Sequence, residues 1–466
     1  MKAGLAPSPL PRADDSGSGV PAGGRFFSFA PTGFRGLSRA FWALEIYLFL
    51  STSVIDEEWE AVGNFHPRLI LGSLVLLVVL IRAFDRKLHP EGFSPADPRP
   101  ARWLLAFVAA GLVSTVWAYI PELAWSATTG QLVNLTRVLA FFLVVGIVRT
   151  RREIMITVLV LAAGCGFYLL RSVSEYAAGK YQFTMGVKRM MGAGHSYEEP
   201  NGFAATLVLA FPLILWAAVR TRSRLLALCA LAYGGLGAVS VVLTHSRSGL
   251  VLLLLAAAWA FFTLPRHWMR AGLLAALVAM GAVLAANMTE NELQRFAGLT
   301  TTETLDKDES AHGRIEGYEV SWKIFLDHPV IGIGPGCWPK YRAQRIDGNE
   351  HEPHNLPGQL ISTRGIIGTV TFLGFLGTVI ALAIRERRRR RAGNDPWDDA
   401  VRGLAATTLF TFFLLFVSGL GAHNLERPSW YLLPALFFAA AACRDESPRG
   451  NGVPARGREA VARVFR

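Results

Sequence analysis

A chain of 466 residues would make about three soluble domains, but 52% hydrophobic content with only 18% charged residues excludes that solution. The net charge of +12 is no nucleic-acid footprint, because Lys and Arg sit mostly between long apolar runs, where they orient a membrane protein. Four cysteines, Cys165, Cys229, Cys337 and Cys443, are too widely spaced for a metal motif or a disulfide framework and are expected to be inert.

Residues 1–38 combine Gly, Pro, Ser and Ala with no early apolar core, so a disordered cytoplasmic tail is expected, not a cleaved secretory signal. A second cytoplasmic tail is expected over 444–466. A spanning helix needs roughly 20 mostly apolar residues, and about twelve stretches approach that length. They are 39–55, 67–84, 102–120, 130–148, 153–172, 200–219, 223–243, 248–264, 270–288, 364–384, 403–421 and 430–443. The expectation is an all-α polytopic membrane protein, with spans in 39–286, a large extracytoplasmic loop over 287–363, and further spans in 364–443.

The connections test this count, because short cytoplasmic loops carry the excess of Lys and Arg. Alternate connections are basic: Arg82, Arg86 and Lys87, then Arg149, Arg151 and Arg152, then Arg220, Arg222 and Arg224, then Arg266 and Arg270, and finally the run from Arg385 to Arg391. The opposite connections differ, beginning with Asp56, Glu57 and Glu58. Both termini are therefore expected in the cytoplasm.

The loop over 287–363 far exceeds the usual length of about 4–6 residues. Within it, Ile315, Tyr318, Trp322 and Phe325 have helical spacing, ended by His328-Pro329, which predicts a helix over 311–327 lying on or capping the membrane bundle. Gly332-Ile333-Gly334-Pro335-Gly336 lacks the Lys-Ser/Thr ending of a nucleotide loop and reads as a backbone corner.

Polar groups at the extracytoplasmic helix ends are the candidates for chemistry. Arg247 occupies a tight Thr244-His-Ser-Arg-Ser-Gly249 junction on the side where orientation does not call for Arg. It reads either as a snorkelling side chain or as a clamp for phosphate oxygens. Arg314 opens the loop helix, where an exposed cation, an ion pair or a phosphate contact all fit. His354, beside Asn355, has the titration range of a general base for a sugar hydroxyl. His351-x-x-His354 could ligate a metal, but Pro353 and the missing third ligand argue against it. Glu199 and Asn201 stand at the start of the span 200–219, just after His195 and Glu198; His423 and Glu426 lie between the last two.

The order of these pieces resembles the O-antigen ligase and polymerase superfamily. The resemblance rests on the Ser-Arg-Ser-Gly junction, Gly313-Arg-x7-Trp322, the run from His328 to Gly336, His354-Asn355, Gly365-Ile-Ile-Gly368 and Glu199-Pro-Asn201. It implies a glycosyltransferase C-like membrane fold at the inner membrane, with the active face periplasmic. It also implies an undecaprenyl-pyrophosphate-linked glycan donor, metal-independent inverting transfer with no cofactor, and a glycan or lipid A-core acceptor. Other polysaccharide-assembly proteins would be partners. By the same resemblance Arg247 and Arg314 would hold the pyrophosphate and His354 would orient or deprotonate the acceptor. Many members carry Glu where this chain has Ser362-Thr363-Arg364, so Arg364 is read as a third phosphate contact or as a sign of a different acceptor site. Glu426 or His423 could supply the missing carboxylate or base. The competing reading is a transporter or flippase of the lipid-linked glycan, although no internal repeat is evident.

Overall fold

The protein is described by a computed structural model over residues 37–58, 65–84, 97–129, 132–184, 186–194, 198–221, 223–264, 267–287, 309–389 and 395–445. The expectations for most of the two tails, for His195 and for residues 288–308 lie outside these residues. The described chain is almost wholly helical. In order the helices are α1 (Arg39–Ser53), α2 (Pro67–Phe84), α3 (Arg99–Val116), α4 (Pro121–Thr129), α5 (Leu132–Ile147), α6 (Arg151–Ala177), α7 (Pro200–Arg220) and α8 (Arg224–Leu243). There follow α9 (Arg247–Thr263), α10 (His267–Asn287), α11 (Glu309–Asp327), α12 (Trp338–Arg345), α13 (Leu356–Arg388), α14 (Pro396–Gly419) and α15 (Ser429–Ala442). An antiparallel hairpin, β1 (Gln182–Thr184) and β2 (Val187–Arg189), interrupts the series between α6 and α7.

Every apolar stretch read from the sequence falls on one of these helices, and α4, α11 and α12 lie in connections. Among the described residues, α6, α7, α8, α13 and α14 are long and apolar enough to cross a membrane. Shorter apolar helices include α9 and α15. Their outer faces fit a lipid solvent: Leu231 on α8 is 72% exposed and Phe262 on α9 is 77% exposed. In water such side chains would each forgo about 1.5–3 kcal/mol of burial, whereas lipid is as apolar as they are.

Local signals set the helix starts. Thr150 and Glu153 form a reciprocal capping box at α6, while Ser223, Ser246 and Asp395 cap α8, α9 and α14. Ion pairs gather one end of the bundle: Arg151 reaches Asp395 at 2.7 Å and the Cys443 carbonyl at 3.1 Å, and Arg444 pairs with Glu386 and Asp398. The candidate side chains sit at the other end, around the starts of α7, α9 and α13. There a small satellite core of Val320, Ile324, Ile333, Trp338 and Tyr341 forms a cap. Arg342, 2% exposed in its side chain, is held under it by Glu316 and Asp347, each at 2.6 Å.

Two helix starts differ clearly from expectation, and one is that of α14, at Pro396 and not near 403, where Asp395 caps it. Helix α13 begins at Leu356, not near 364, because Asn355 caps it: the Asn355 Oδ1 accepts the Gly358 N–H at 2.6 Å. The loop helix foreseen over 311–327 is α11, and it starts at Glu309.

Candidate functional site

The site is organised by a break in α13. Gly365 takes φ 60 and ψ −165, outside the helical region, so carbonyls before it and N–H groups after it lose their helical partners. The run from Pro329 to Gly334 replaces them. Ile333 and Gly334 donate to the carbonyls of Ser362 (2.9 Å) and Thr363 (3.2 Å), while Ile366 and Ile367 donate to those of Pro329 (2.8 Å) and Val330 (3.2 Å). Ser114 of α3 adds a bond to the Thr363 carbonyl at 2.7 Å. The two segments of this splint approach so closely that a Cβ on Gly332 would lie 2.5 Å from the Thr363 carbonyl carbon, and one on Gly365 would strike Val330. The glycine series is thus a corner, as its composition suggests, and it serves a definite structural purpose. It satisfies a broken helix, which is tolerable at membrane depth only where protein supplies the bonds.

His354 stands just above this half-helix. Its φ of 46 places a non-glycine residue in the left-handed region, a conformation costing on the order of 1–3 kcal/mol. Asn355 fixes it from the next position. Besides capping α13, its Nδ2 donates to the Pro353 carbonyl at 2.8 Å, so both ends of this buried amide are engaged by backbone. Asn355 therefore acts on the site by holding His354.

The His354 ring stacks on that of His423, with centroids 5.5 Å apart and planes at 29°. Both imidazoles keep a face open to solvent. Desolvation by the surrounding protein nevertheless pushes the His354 pKa below its ordinary value; the nearby Glu199 carboxylate opposes that shift, while Arg314 and His351 reinforce it. His423 is lowered in the same way, by desolvation first and then by His354 and Arg427, again against Glu199. Both shifts favour the neutral imidazole, the form that can accept a proton.

Arg314 comes from α11, and its charge acts on His354. Gly317 lies on the Pro353 carbonyl, the Tyr318 hydroxyl donates to the Leu420 carbonyl at 3.1 Å, and the Arg314 Nε is 3.3 Å from where a Cβ on Gly421 would be. The loop helix thus carries its guanidinium to the edge of the α14–α15 loop. Arg247 is the first residue of α9 and only half-buried. Its helix turns sharply out of α8 through His245, at φ 49, and packs so that a Cβ on Gly249 would be 2.6 Å from the Ala204 Cβ of α7. That contact brings the Arg247 junction against the start of α7, where Glu199 and Asn201 sit.

Two arginines there are absent from the sequence-derived set. Arg189, at the end of β2 and 7% exposed, donates to the Thr244 carbonyl and to the Asn201 Oδ1, both at 2.9 Å; the Asn201 Nδ2 in turn reaches Glu199 at 3.2 Å. Arg427 donates to the Thr206 Oγ1 at 2.8 Å and to the Gly202 carbonyl at 3.1 Å. The argument that singled out Arg247, an arginine on the side where orientation needs none, applies equally to both and would have found them.

Arg364 and Glu426 occupy a different chamber. Asn424 pins the α14–α15 loop by donating to the Leu415 carbonyl at 2.7 Å, and the Trp430 indole donates back to the Asn424 carbonyl at 3.0 Å. His423 lies before that anchor, against His354; Glu426 lies after it, lining a cavity with Arg364, Phe107, Leu112 and Tyr431. The Arg364 guanidinium rests on α3, with Nη1 2.6 Å from where a Cβ on Gly111 would be, and its Nε is buried with no hydrogen-bond partner. Glu352, three residues before Asn355, has its pKa raised by desolvation and then by the Glu426 charge. Among the described residues no three His, Cys, Asp or Glu side chains are grouped to hold a metal ion.

Residues 232–373 match the family model described as O-antigen ligase. The match runs from within α8 to within α13 and includes Arg247, Arg314, His354, Asn355 and Arg364; Glu199, Asn201, His423 and Glu426 lie outside it. No curated protein matches the chain.

Proposed function

We propose, with the match to the O-antigen ligase family over residues 232–373 as premise, that this membrane protein transfers a glycan from a polyprenyl-diphosphate donor to a hydroxyl acceptor. What supports the reading is the geometry of His354, held at a positive φ and stacked on His423, with the charges of Glu199 and Arg314 acting on its ring. In the proposed step the acceptor oxygen bonds to the anomeric carbon from the face opposite the leaving group, and His354 takes the hydroxyl proton. The bond from the anomeric carbon to the phosphate oxygen breaks, the anomeric centre inverts, and the polyprenyl diphosphate leaves with both electrons. Negative charge grows on the leaving diphosphate, and Arg247 and Arg314 stabilise it as fixed cations that need no reorganisation. Glu199 favours the imidazolium that forms on His354. His423 supports the ring by stacking.

The same reading has about twelve crossings, both termini in the cytoplasm of a bacterial cell and the reacting face in the periplasm of the inner membrane. Its support is the alternation of basic connections, together with the separation of the Arg151–Asp395 end from the His354 end. The undecaprenyl carrier and a lipid A-core or glycan acceptor come from the superfamily resemblance alone. The test is transfer by purified protein from an undecaprenyl-diphosphate glycan to candidate acceptors in EDTA. Product from wild type but not from His354→Ala supports the reading. Binding and translocation of the lipid-linked glycan without any transfer would favour a flippase instead.

A further inference from the structure

A second cavity, beside the one that Arg364 lines, has Arg427 in its wall. Its walls come from α1, α6, α7 and α15 and include Thr52, Cys165, Leu209, Leu213 and Leu433. Its head is at the His354 end of the bundle: Arg427 is bonded to Gly202 and Thr206 at the start of α7, and its charge acts on His423. From there the cavity follows α7 from Thr206 to Ile214, about 12 Å at 1.5 Å per residue. Below Arg427 the described lining is apolar apart from small hydroxyls and one thiol, and it holds no carboxylate.

From this geometry we infer that the cavity beneath Arg427 is the groove for the isoprenoid chain of a polyprenyl diphosphate, with the diphosphate lying above it between the arginines and the histidine pair. The inference rests on the glycan-transfer reading and deepens it by fixing where the lipid half of the donor lies. An amphiphile with a doubly charged head and a long apolar tail needs a cationic rim continuous with an apolar slot at membrane depth. Here Arg427 joins the two. The cavity beside Arg364 is the rival slot, since it too is mostly apolar. Its one cation, Arg364, however, shares the lining with the Glu426 carboxylate, which offsets the guanidinium charge, whereas the lining beneath Arg427 holds no carboxylate. A bilayer phospholipid would fit the apolar part of either cavity, and competition separates it from the isoprenoid.

Two measurements test the groove. In the first, Ala210→Trp fills it with an indole, and transfer is compared for two donors bearing the same glycan diphosphate, one on a long polyprenyl chain and one on a two-isoprene chain. The expected result is a KM for the long-chain donor raised about tenfold or more, with the short-chain donor unchanged. Equal use of the long-chain donor by variant and wild type, or equal loss of both donors, would overturn the groove. If wild type transfers from neither donor, the glycan-transfer reading itself fails, which is a different outcome. In the second, independent of activity, a photoreactive polyprenyl diphosphate without glycan is crosslinked to the whole protein and mapped. Adducts within 161–165 and 209–214, displaced by polyprenyl diphosphate but not by phosphatidylglycerol, are expected. Adducts within 107–112, or equal displacement by phosphatidylglycerol, would contradict the assignment.

Discussion

The α14–α15 loop divides the His354 end of the molecule into two chambers whose charges differ in kind. On the His423 side, Arg314, Arg427, Arg189 and Arg247 are contributed by four separate elements, and Glu199 is the carboxylate whose charge acts on both histidines. On the Glu426 side, Arg364 is the cation, with Glu426 beside it. The count of arginines in a sequence is therefore a poor guide to where an anion binds. Both chambers have a buried guanidinium, but only the first has an excess of cations next to a base whose neutral form is favoured.

Removing that base should abolish the contrast most completely. His354→Ala should lower transfer by about 10²–10⁴-fold with the protein still inserted in the membrane, as initial rates and a membrane-fraction blot would report. Arg314→Ala and Arg247→Ala should each cost about 10²–10³-fold in kcat, with Lys restoring only part, because an ammonium lacks the planar fork. Equal rescue by Lys would mean that charge alone matters. Gly365→Ala drives a methyl group into Val330 and denies the break its conformation; a loss of about 1–3 kcal/mol in stability, read as a lower melting midpoint, is expected along with reduced transfer. Arg364→Gln should change transfer less than about tenfold. The smallest effect concerns pH. Both histidines titrate below the ordinary imidazole value, so activity should persist as the pH falls through that value and decline only at lower pH, where His354 takes up a proton. A decline centred at or above the ordinary value would show that the desolvation described is not felt in the working enzyme.

Helices were legible in the sequence because long apolar runs leave few alternatives in lipid. The basic connections were legible because orientation depends on them. Arg247, Arg314 and His354 stood out as candidates because each is a polar group at or beside an extracytoplasmic helix end. The break in α13 could not be foreseen: nothing local to Gly365 distinguishes a helix-breaking glycine from a packing one, and its partner sequence lies some thirty residues earlier, around Gly332. The division into chambers was hidden for a similar reason. Arg364 stood in a motif beside His354, but at Gly365 the chain turns its side chain onto Gly111 of α3, away from the histidines. Arg189 sits in a hairpin whose register no apolar period announces.

The most direct test places His354→Ala and Arg364→Ala side by side in one assay, with single-turnover transfer from an undecaprenyl-diphosphate glycan in EDTA. The account predicts that the first variant loses the product and the second retains it within about tenfold of wild type. Retention by His354→Ala together with loss by Arg364→Ala would put the chemistry in the other chamber and contradict the role assigned to His354.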